Sequence, residues 1–572
     1  MPSSRSSLPR VAPSPPPGSA PSPTVPSSVS WLLRFLTFAP LAFIAWQAAS
    51  LLQNIPMWDE FKTVLTFLLD YRAADSLASA LSEFVAMANE HCVLTSRMVF
   101  VLLYHVTGEA NFIHLAIVGN LFLIAAIWIG GRGMEDRAWR GIWVAVAILL
   151  TFQLQHHENL FSSYASIDHF QVVLLTTACL VLVVRGGMRS LVAAGVLAAL
   201  AVFTLAHGVA VLVAAALVLL AQRRRRELLG WSIASVAIVI GFAFLLSTSK
   251  LPVATSWNLP GLKKLLVYWL TMLGGVPSGG NVRWAPVWGA GLLGLLAWAA
   301  WYRSFVRESF LSALALTAVL GCALIAYGRS SSVEIPPVSS RYMVQSAFAW
   351  AAAGMLLVRL LGTPRRAWTG AWVLVAGAVA VNLAGNLRFF PEAWEFTQRR
   401  IDAARQYDER ETVGGMKRPI FPHGATADRI LATAARENLY HLPVPKSREV
   451  VMPEGLQLYP IIFHLDKVAL GRSSLHVRGW MLTLEQLSTD LKPHLQLVQG
   501  DRSYLFRGFV ELRPDVAQAK PDRIDAEGSG FYFAVPYEEL APGSYSLRVV
   551  LIGQRRTLYN ETKRTIEIPP RL

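Results

Sequence analysis

The sequence predicts a mainly α fold, a polytopic transmembrane helical bundle of about eleven spans followed by a C-terminal extracytoplasmic β-sandwich, on three observations. Only 16% of its 572 residues are Asp, Glu, Lys or Arg, against about 25% in a soluble domain, and mean hydropathy is +0.41. Apolar runs of about 17 to 22 residues recur, the length that crosses roughly 30 Å of hydrocarbon. Beyond residue 388 hydropathy falls, and from residue 455 short alternating runs replace the long apolar ones.

Residues 1–29 are rich in Pro and Ser, with Arg5 and Arg10, and hold too little apolar surface to order themselves. A disordered cytoplasmic tail is expected there. The first apolar run, Trp31 to Gln53, reads as a span and not a signal peptide, because it is long and no small-residue cleavage site precedes Asn54. Phe112 to Gly130, Trp231 to Leu246 with its flanks, and Met343 to Leu361 are further spans. Cytoplasmic loops are enriched in Lys and Arg. One alternate set of loops carries them: Arg132, Arg137 and Arg140; Arg185 and Arg189; Arg223 to Arg226; Arg303 and Arg307; Arg365 and Arg366. Leu191 to Gln222 would run about 48 Å as one helix and has arginines near both ends, so a hairpin with its tip at Ala206-His207-Gly208 is predicted. The transmembrane domain then covers 30–388, with a cytoplasmic N terminus, an external C terminus and a first outer loop at 54–110.

Charge and cysteine usage exclude several classes. The net charge is +15, yet the basic residues sit in short clusters between apolar segments, which is a topology signal and not a nucleic-acid surface. Cys92, Cys179 and Cys322 offer neither a disulfide framework nor a CxxC-type metal site. No Gly-rich phosphate loop opens a Rossmann-like unit, so nucleotide-sugar binding has no support.

Residues 389–454 read as a linker with short charged helices, Glu395 to Arg405 and Ala425 to Asn438. Within 455–572, Leu475 to Met481, His494 to Val498, Phe531 to Val535, Tyr545 to Ile552 and Thr565 to Ile568 alternate between Gly, Pro and Asp turns, as a small sandwich does. Gly479-Trp480, Arg513-Pro514-Asp515-Val516, Gly530-Phe531 and Pro542-Gly543 resemble β-sandwich modules attached to bacterial exopolysaccharide glycosyltransferases. The same residues also suit the turns and core of any sandwich.

The unusual polar residues gather in the loops assigned to the outside. The first outer loop opens with Pro56-Met57-Trp58-Asp59-Glu60, placing two adjacent carboxylates at the membrane surface. Glycosyl transfer needs a base for the acceptor hydroxyl and cations for the leaving phosphate, chemistry that a carboxylate pair near an Arg supplies. The competing reading makes Asp59 and Glu60 caps of an amphipathic surface helix from Glu60 to Tyr71, since acids stabilise helix N termini. The loop continues to Asn89-Glu90-His91 and Ser96-Arg97.

An acid just after the first span, a second about thirty residues on, and two surface helices between them resemble the GT-C superfamily of membrane glycosyltransferases, over roughly residues 30 to 390. Gln155 to Asn159 (Gln-His-His-Glu-Asn), Ala206-His207-Gly208 and Ser339-Ser340-Arg341-Tyr342 are similar to a bacterial envelope-polysaccharide subgroup. The resemblance implies a base or metal-ligand role for Asp59, with Glu60 beside it and Glu90 as second acid. It also implies that Arg341, with Arg329, holds the donor phosphate, for which a guanidinium fork suits tetrahedral oxygens. Headgroup snorkelling at a helix start is the alternative for Arg341. Trp58, His91, His157, Glu158, His207 and Tyr342 are expected around the substrate pocket, and Asp168 and His169 are further candidates.

A divalent cation, Mg, Mn or Zn, has Asp59, Glu90 and His156 as candidate ligands. Adjacent helical residues point about 100° apart, so at most two of His156, His157 and Glu158 face one ion, and the first loop has no Asp-x-Asp triplet. The expected partners are a polyprenyl-phosphate-linked sugar donor, an envelope glycan, lipid or protein acceptor and the lipid bilayer, with no nucleic acid. The expected place is the bacterial cytoplasmic (inner) membrane, with the site outside. Two other functions stay open. A Wzy-like polymerase or ligase would want paired arginines in a large outer loop, and 248–284 has Lys250, Lys263, Lys264 and Arg283 without such a motif. A non-enzymatic polysaccharide export component would want mid-membrane charges and internal repeats.

Overall fold

The computed structural model describes residues 27–88, 91–134, 136–248, 259–330, 336–361, 363–444, 446–453, 457–484, 491–523, 525–553 and 557–570. Glu90, Lys250 and the expected tail up to residue 26 lie outside the described residues, and 27–29 already belong to the first helix.

The chain is mainly helical. Among the described residues, six helices are long and apolar enough to cross a membrane: Val29–Leu51, Phe112–Arg132, Ser163–Arg185, Arg225–Ser247, Ser309–Arg329 and Pro364–Arg410. A seventh is added if Ala138–Thr151 and Leu154–Leu160, bent by 59°, form one broken span. Leu94–Thr107, Met188–Thr204, Ala206–Ala221 and Ala285–Trp301 are apolar but shorter. Arg225–Ser247 turns Leu229, Ile233, Val236, Ile240 and Phe244 outward in a stripe spaced three and four residues apart, as a helix facing lipid does. Phe112–Arg132 instead packs tightly on Ser163–Arg185: a Cβ on Gly119 would lie 2.2 Å from Ser166 Oγ.

The expected tip at residues 206–208 coincides with a real break. Leu205 is extended, and a 3₁₀ turn over Ala206–Val209 follows. Gly208 lies so close to the Ala201 carbonyl, 2.6 Å from an added Cβ, that no side chain fits.

The first outer loop builds a helical layer at one end of the bundle. A helix starts at Asp59, passes through a π-helical stretch at Phe61–Thr66 and ends at Ala73, close to the expected Glu60–Tyr71. Leu77–Val85 is capped by Ser76 Oγ, which accepts from Ser79 N at 3.1 Å. Leu94–Thr107 completes the layer and carries Arg97, whose guanidinium donates to the carbonyls of Phe84, Ala86 and Cys92. Arg97 thereby ties the layer to the turn before it.

The linker differs from expectation. Pro364–Arg410 is one helix of 47 residues, so the boundary at 388/389 falls inside it. Hydropathy marks where a helix leaves lipid, but Glu395 to Arg405 keeps helical periodicity, and nothing there ends the helix. Gly424–Arg436 follows.

Among the described residues the C-terminal β domain has ten strands: β1 Arg448–Glu449, β2 Gln457–Leu458, β3 Ile461–Leu470, β4 Ser474–Thr483, β5 Lys492–Gln499, β6 Arg502–Arg507, β7 Phe509–Glu511, β8 Gly530–Pro536, β9 Gly543–Ile552 and β10 Thr557–Ile568. They form one sheet in the order β1-β6-β5-β9-β10-β2 and another in the order β3-β4-β8-β7. Both sheets feed one apolar core, with Val477, Phe531 and Phe533 from the smaller and Leu495, Leu497, Leu547 and Val549 from the larger. The motif glycines are packing devices here. A Cβ on Gly479 would lie 2.1 Å from His464 O and one on Gly530 2.6 Å from Arg513 Cγ.

Candidate functional site

The chain reverses into the first outer loop at Trp58, which holds a left-handed backbone (φ 52°) and donates its N–H to Ile420 O at 2.7 Å. A bulky residue rarely adopts that conformation. The two adjacent carboxylates that follow open a helix, so they point about 100° apart.

Glu60 points inward and is only 1% exposed. One oxygen accepts from Ser162 Oγ, Ser163 N and Ser163 Oγ, each at 2.7 Å, and from Tyr164 N at 3.3 Å. The other accepts from Met57 N at 2.8 Å and faces Arg400 Nη2 at 3.4 Å. Arg400 is equally buried and also donates to Phe161 O at 2.9 Å. Glu60 thus caps the N terminus of Ser163–Arg185, where orphan N–H groups and the helix dipole favour a carboxylate. It has no lone pair left for a substrate, so the expected catalytic role at Glu60 gives way to a structural clamp.

Asp59 points outward and is partly exposed. Its Oδ2 is 3.4 Å from Arg341 Nη1, and Arg341 Nε is 3.7 Å from Glu158 Oε2. The Arg341 guanidinium lies over the Trp58 ring at 4.2 Å, a cation–π contact. Trp58 in turn packs on Phe396 of the long helix, at 5.8 Å between rings. Glu158 is held by Ser339 Oγ at 3.3 Å, its N–H donates to Ser340 Oγ at 3.1 Å, and Asn159 Nδ2 donates to Arg341 O at 2.7 Å. The expected first outer loop at 54–110 and the Gln155 to Asn159 and Ser339 to Tyr342 motifs therefore meet at Trp58, Asp59, Glu158 and Arg341. The ion-pair distances are loose beside the 2.7–2.9 Å of a tight charge-assisted bond, which leaves the guanidinium able to turn to an anion.

A second polar group lies deeper. His169 stacks on His207 at 6.1 Å and meets Tyr342 edge-on at 5.7 Å, and His207 Nε2 is 3.2 Å from Gln345 Nε2. His91 Nδ1 accepts from Ala206 N at 3.3 Å. Burial, and then the positive charge of Arg329, push the His91 imidazole down to about 3, so it is neutral at ordinary pH. Asp168 is buried beside the Ser96 and Tyr164 hydroxyls. The structure thus brings His91, His169, His207, Arg329 and Tyr342 into one neighbourhood, below the Asp59–Arg341 pair.

His156 and His157 are turned to other uses. His156 Nε2 is 2.9 Å from Leu150 O, and His157 Nδ1 is 3.1 Å from Leu154 O while its ring meets Phe396. Among the described residues no three or more His, Cys, Asp or Glu side chains gather as a metal would require. Glu90, one of the expected ligands, lies outside the described residues.

Sequence reasoning missed Phe396, Ser162, Ser163 and Arg400, which come from segments with no local mark of function. No protein-family model, curated protein or solved structure matches the chain.

Proposed function

We propose that the chain is an integral membrane glycosyltransferase of the bacterial cytoplasmic membrane, moving a sugar from a polyprenyl-phosphate donor to an envelope glycan, lipid or protein acceptor on the extracytoplasmic face. The proposal includes about eleven spans, counting the shorter apolar helices, and a β-sandwich outside the membrane. One observation carries it: a partly exposed carboxylate, Asp59, faces a loosely held guanidinium, Arg341, on an aromatic floor, Trp58.

Drawn as a single displacement, the acceptor hydroxyl attacks the anomeric carbon and its proton passes to the Asp59 carboxylate. The bond from that carbon to the phosphate oxygen breaks, and its electrons leave with the lipid phosphate. Arg341 receives the charge that develops there, and Arg329 adds to the positive field. Glu158 and the Ser339 and Ser340 hydroxyls orient Arg341. Trp58 lines the sugar pocket beneath Arg341, and Glu60 with Arg400 holds the loop that presents Asp59.

The test is transfer of label from a radiolabelled polyprenyl-phosphate sugar pool to endogenous acceptor, in membranes holding wild-type protein, Asp59→Asn or Arg341→Ala at matched abundance. Loss of transfer in both is expected. Undiminished transfer with Asp59→Asn would remove the base and turn the reading toward a polymerase, a ligase or an export component.

A further inference from the structure

The upper part of the helix Pro364–Arg410 has two occupied faces. Phe396 and Arg400 meet Trp58 and Glu60. Glu395, Arg399, Asp402 and Arg405, on other faces of the same turns, line a cleft of about 540 Å³ closed on its far side by the β domain. That volume lies within the roughly 300–1,000 Å³ usual for ligand pockets. The domain is held firmly across it. Asp408 pairs with His476 Nε2 at 2.7 Å and accepts from Ser473 Oγ at 2.8 Å, while Glu511 bridges Arg405 and Arg478.

The charge of the cleft is unbalanced. Seven of its lining side chains are Arg or Lys and four are Asp or Glu. Every one of the four acids is already engaged: Glu395 by Arg399 and Arg418, Asp402 by Arg405, Glu409 by Lys467, and Glu511 by Arg405 and Arg478. Arg410 and Lys417 are exposed and face no carboxylate among the described residues. Arg405, stacked over Tyr532 at 3.5 Å and only 8% exposed, keeps its Nε buried with no hydrogen-bond partner. An excess of cationic over acidic lining and two exposed cations without an ion pair among the described residues favour an anion.

We propose that this cleft binds an anionic oligosaccharide, a glycan segment bearing carboxylate or phosphate groups, and that Arg410, Lys417 and Arg405 recognise its charge. The choice of a glycan rests on the transferase reading. The cleft and the Trp58–Phe396 contact share the turns of one helix, Glu395 to Arg405.

The experiment measures equilibrium binding of fluorescent oligogalacturonate to the full-length protein in nanodiscs of neutral lipid, at low salt. A neutral oligosaccharide of equal length and inorganic phosphate serve as competitors. Saturable oligogalacturonate binding is expected, displaced poorly by the neutral sugar, reduced by salt and weakened about tenfold in Arg410→Ala/Lys417→Ala, since two exposed charge contacts are lost. Both positions are exposed, so that variant folds. No binding, equal competition by the neutral sugar, or binding unmoved in the double variant would overturn the proposal. So would phosphate binding without oligosaccharide binding, which leaves only an anion site, and so would displacement by anionic lipid in place of the neutral one, which would make the ligand a headgroup. Asp59→Asn is expected to bind as wild type does. Loss of transfer with binding intact, or of binding with transfer intact, tells the two proposals apart.

Discussion

Glu60 and Arg400 form a buried ion pair across 340 positions of chain, each side chain 1% exposed and 3.4 Å from the other. Removing one partner strands the other charge away from water, at a cost of about 3–5 kcal/mol. Arg400→Ala and Glu60→Ala are therefore expected to lower the thermal midpoint of the solubilised protein similarly, with the double variant well short of the sum. Additive losses would mean that the two side chains do not act as a unit.

Arg341→Lys keeps the charge but loses both the planar fork and the stack on Trp58. Transfer is expected to fall about tenfold or more at unchanged abundance, and Arg341→Ala about a hundredfold or more. Full activity with Lys would show that a point charge suffices at this position.

His91 gives the pH prediction. Its folded pKa of about 3 lies below the ordinary value of 6.5, so the unfolded chain takes up a proton first as pH falls. Stability from the neutral imidazole is intact above pH 6.5 and is lost progressively between 6.5 and 3, by at most about 1.4 kcal/mol per pH unit. Thermal midpoints measured across that window should fall less steeply in His91→Asn than in wild type. Parallel curves would show that His91 does not govern the loss.

Gly479→Ala inserts a methyl group 2.1 Å from His464 O, where backbone must move to admit it. A loss of about 1–3 kcal/mol is expected in the β domain, read as faster proteolysis C-terminal to Arg410 while the helical part stays resistant. An unchanged cleavage rate would mean that β3 and β4 separate easily.

Local pattern accounts for what was legible in the sequence. Hydropathy located the long helices Val29–Leu51, Phe112–Arg132 and Arg225–Ser247, period-two alternation located the inner parts of β4, β5, β8 and β9, and the length of Leu191 to Gln222 located the break at Leu205; the expected span Met343 to Leu361 is a helix of 17 residues, Met343–Arg359. The meeting of Asp59 with Arg341 was legible only as two candidates on one face. The clamp on Glu60 was not legible, because Ser162, Ser163 and Arg400 lie 102, 103 and 340 positions away and none carries a motif. Asp59 and Glu60 look alike in sequence, and one helical step of about 100° turns one outward and the other into the core. The 388/389 boundary failed because a change of solvent is not a change of backbone.

The unbroken helix Pro364–Arg410 has a mechanical consequence. Its membrane portion is anchored among other helices, its middle carries Phe396 against Trp58, and its end is bolted to the β domain through Asp408 and His476. A rod is far stiffer than a loop and transmits rotation along its length. Torque applied to the C-terminal domain by anything it grips travels back along this helix to the floor beneath Arg341, and Pro391, its one interior proline, lies on the membrane side of that floor.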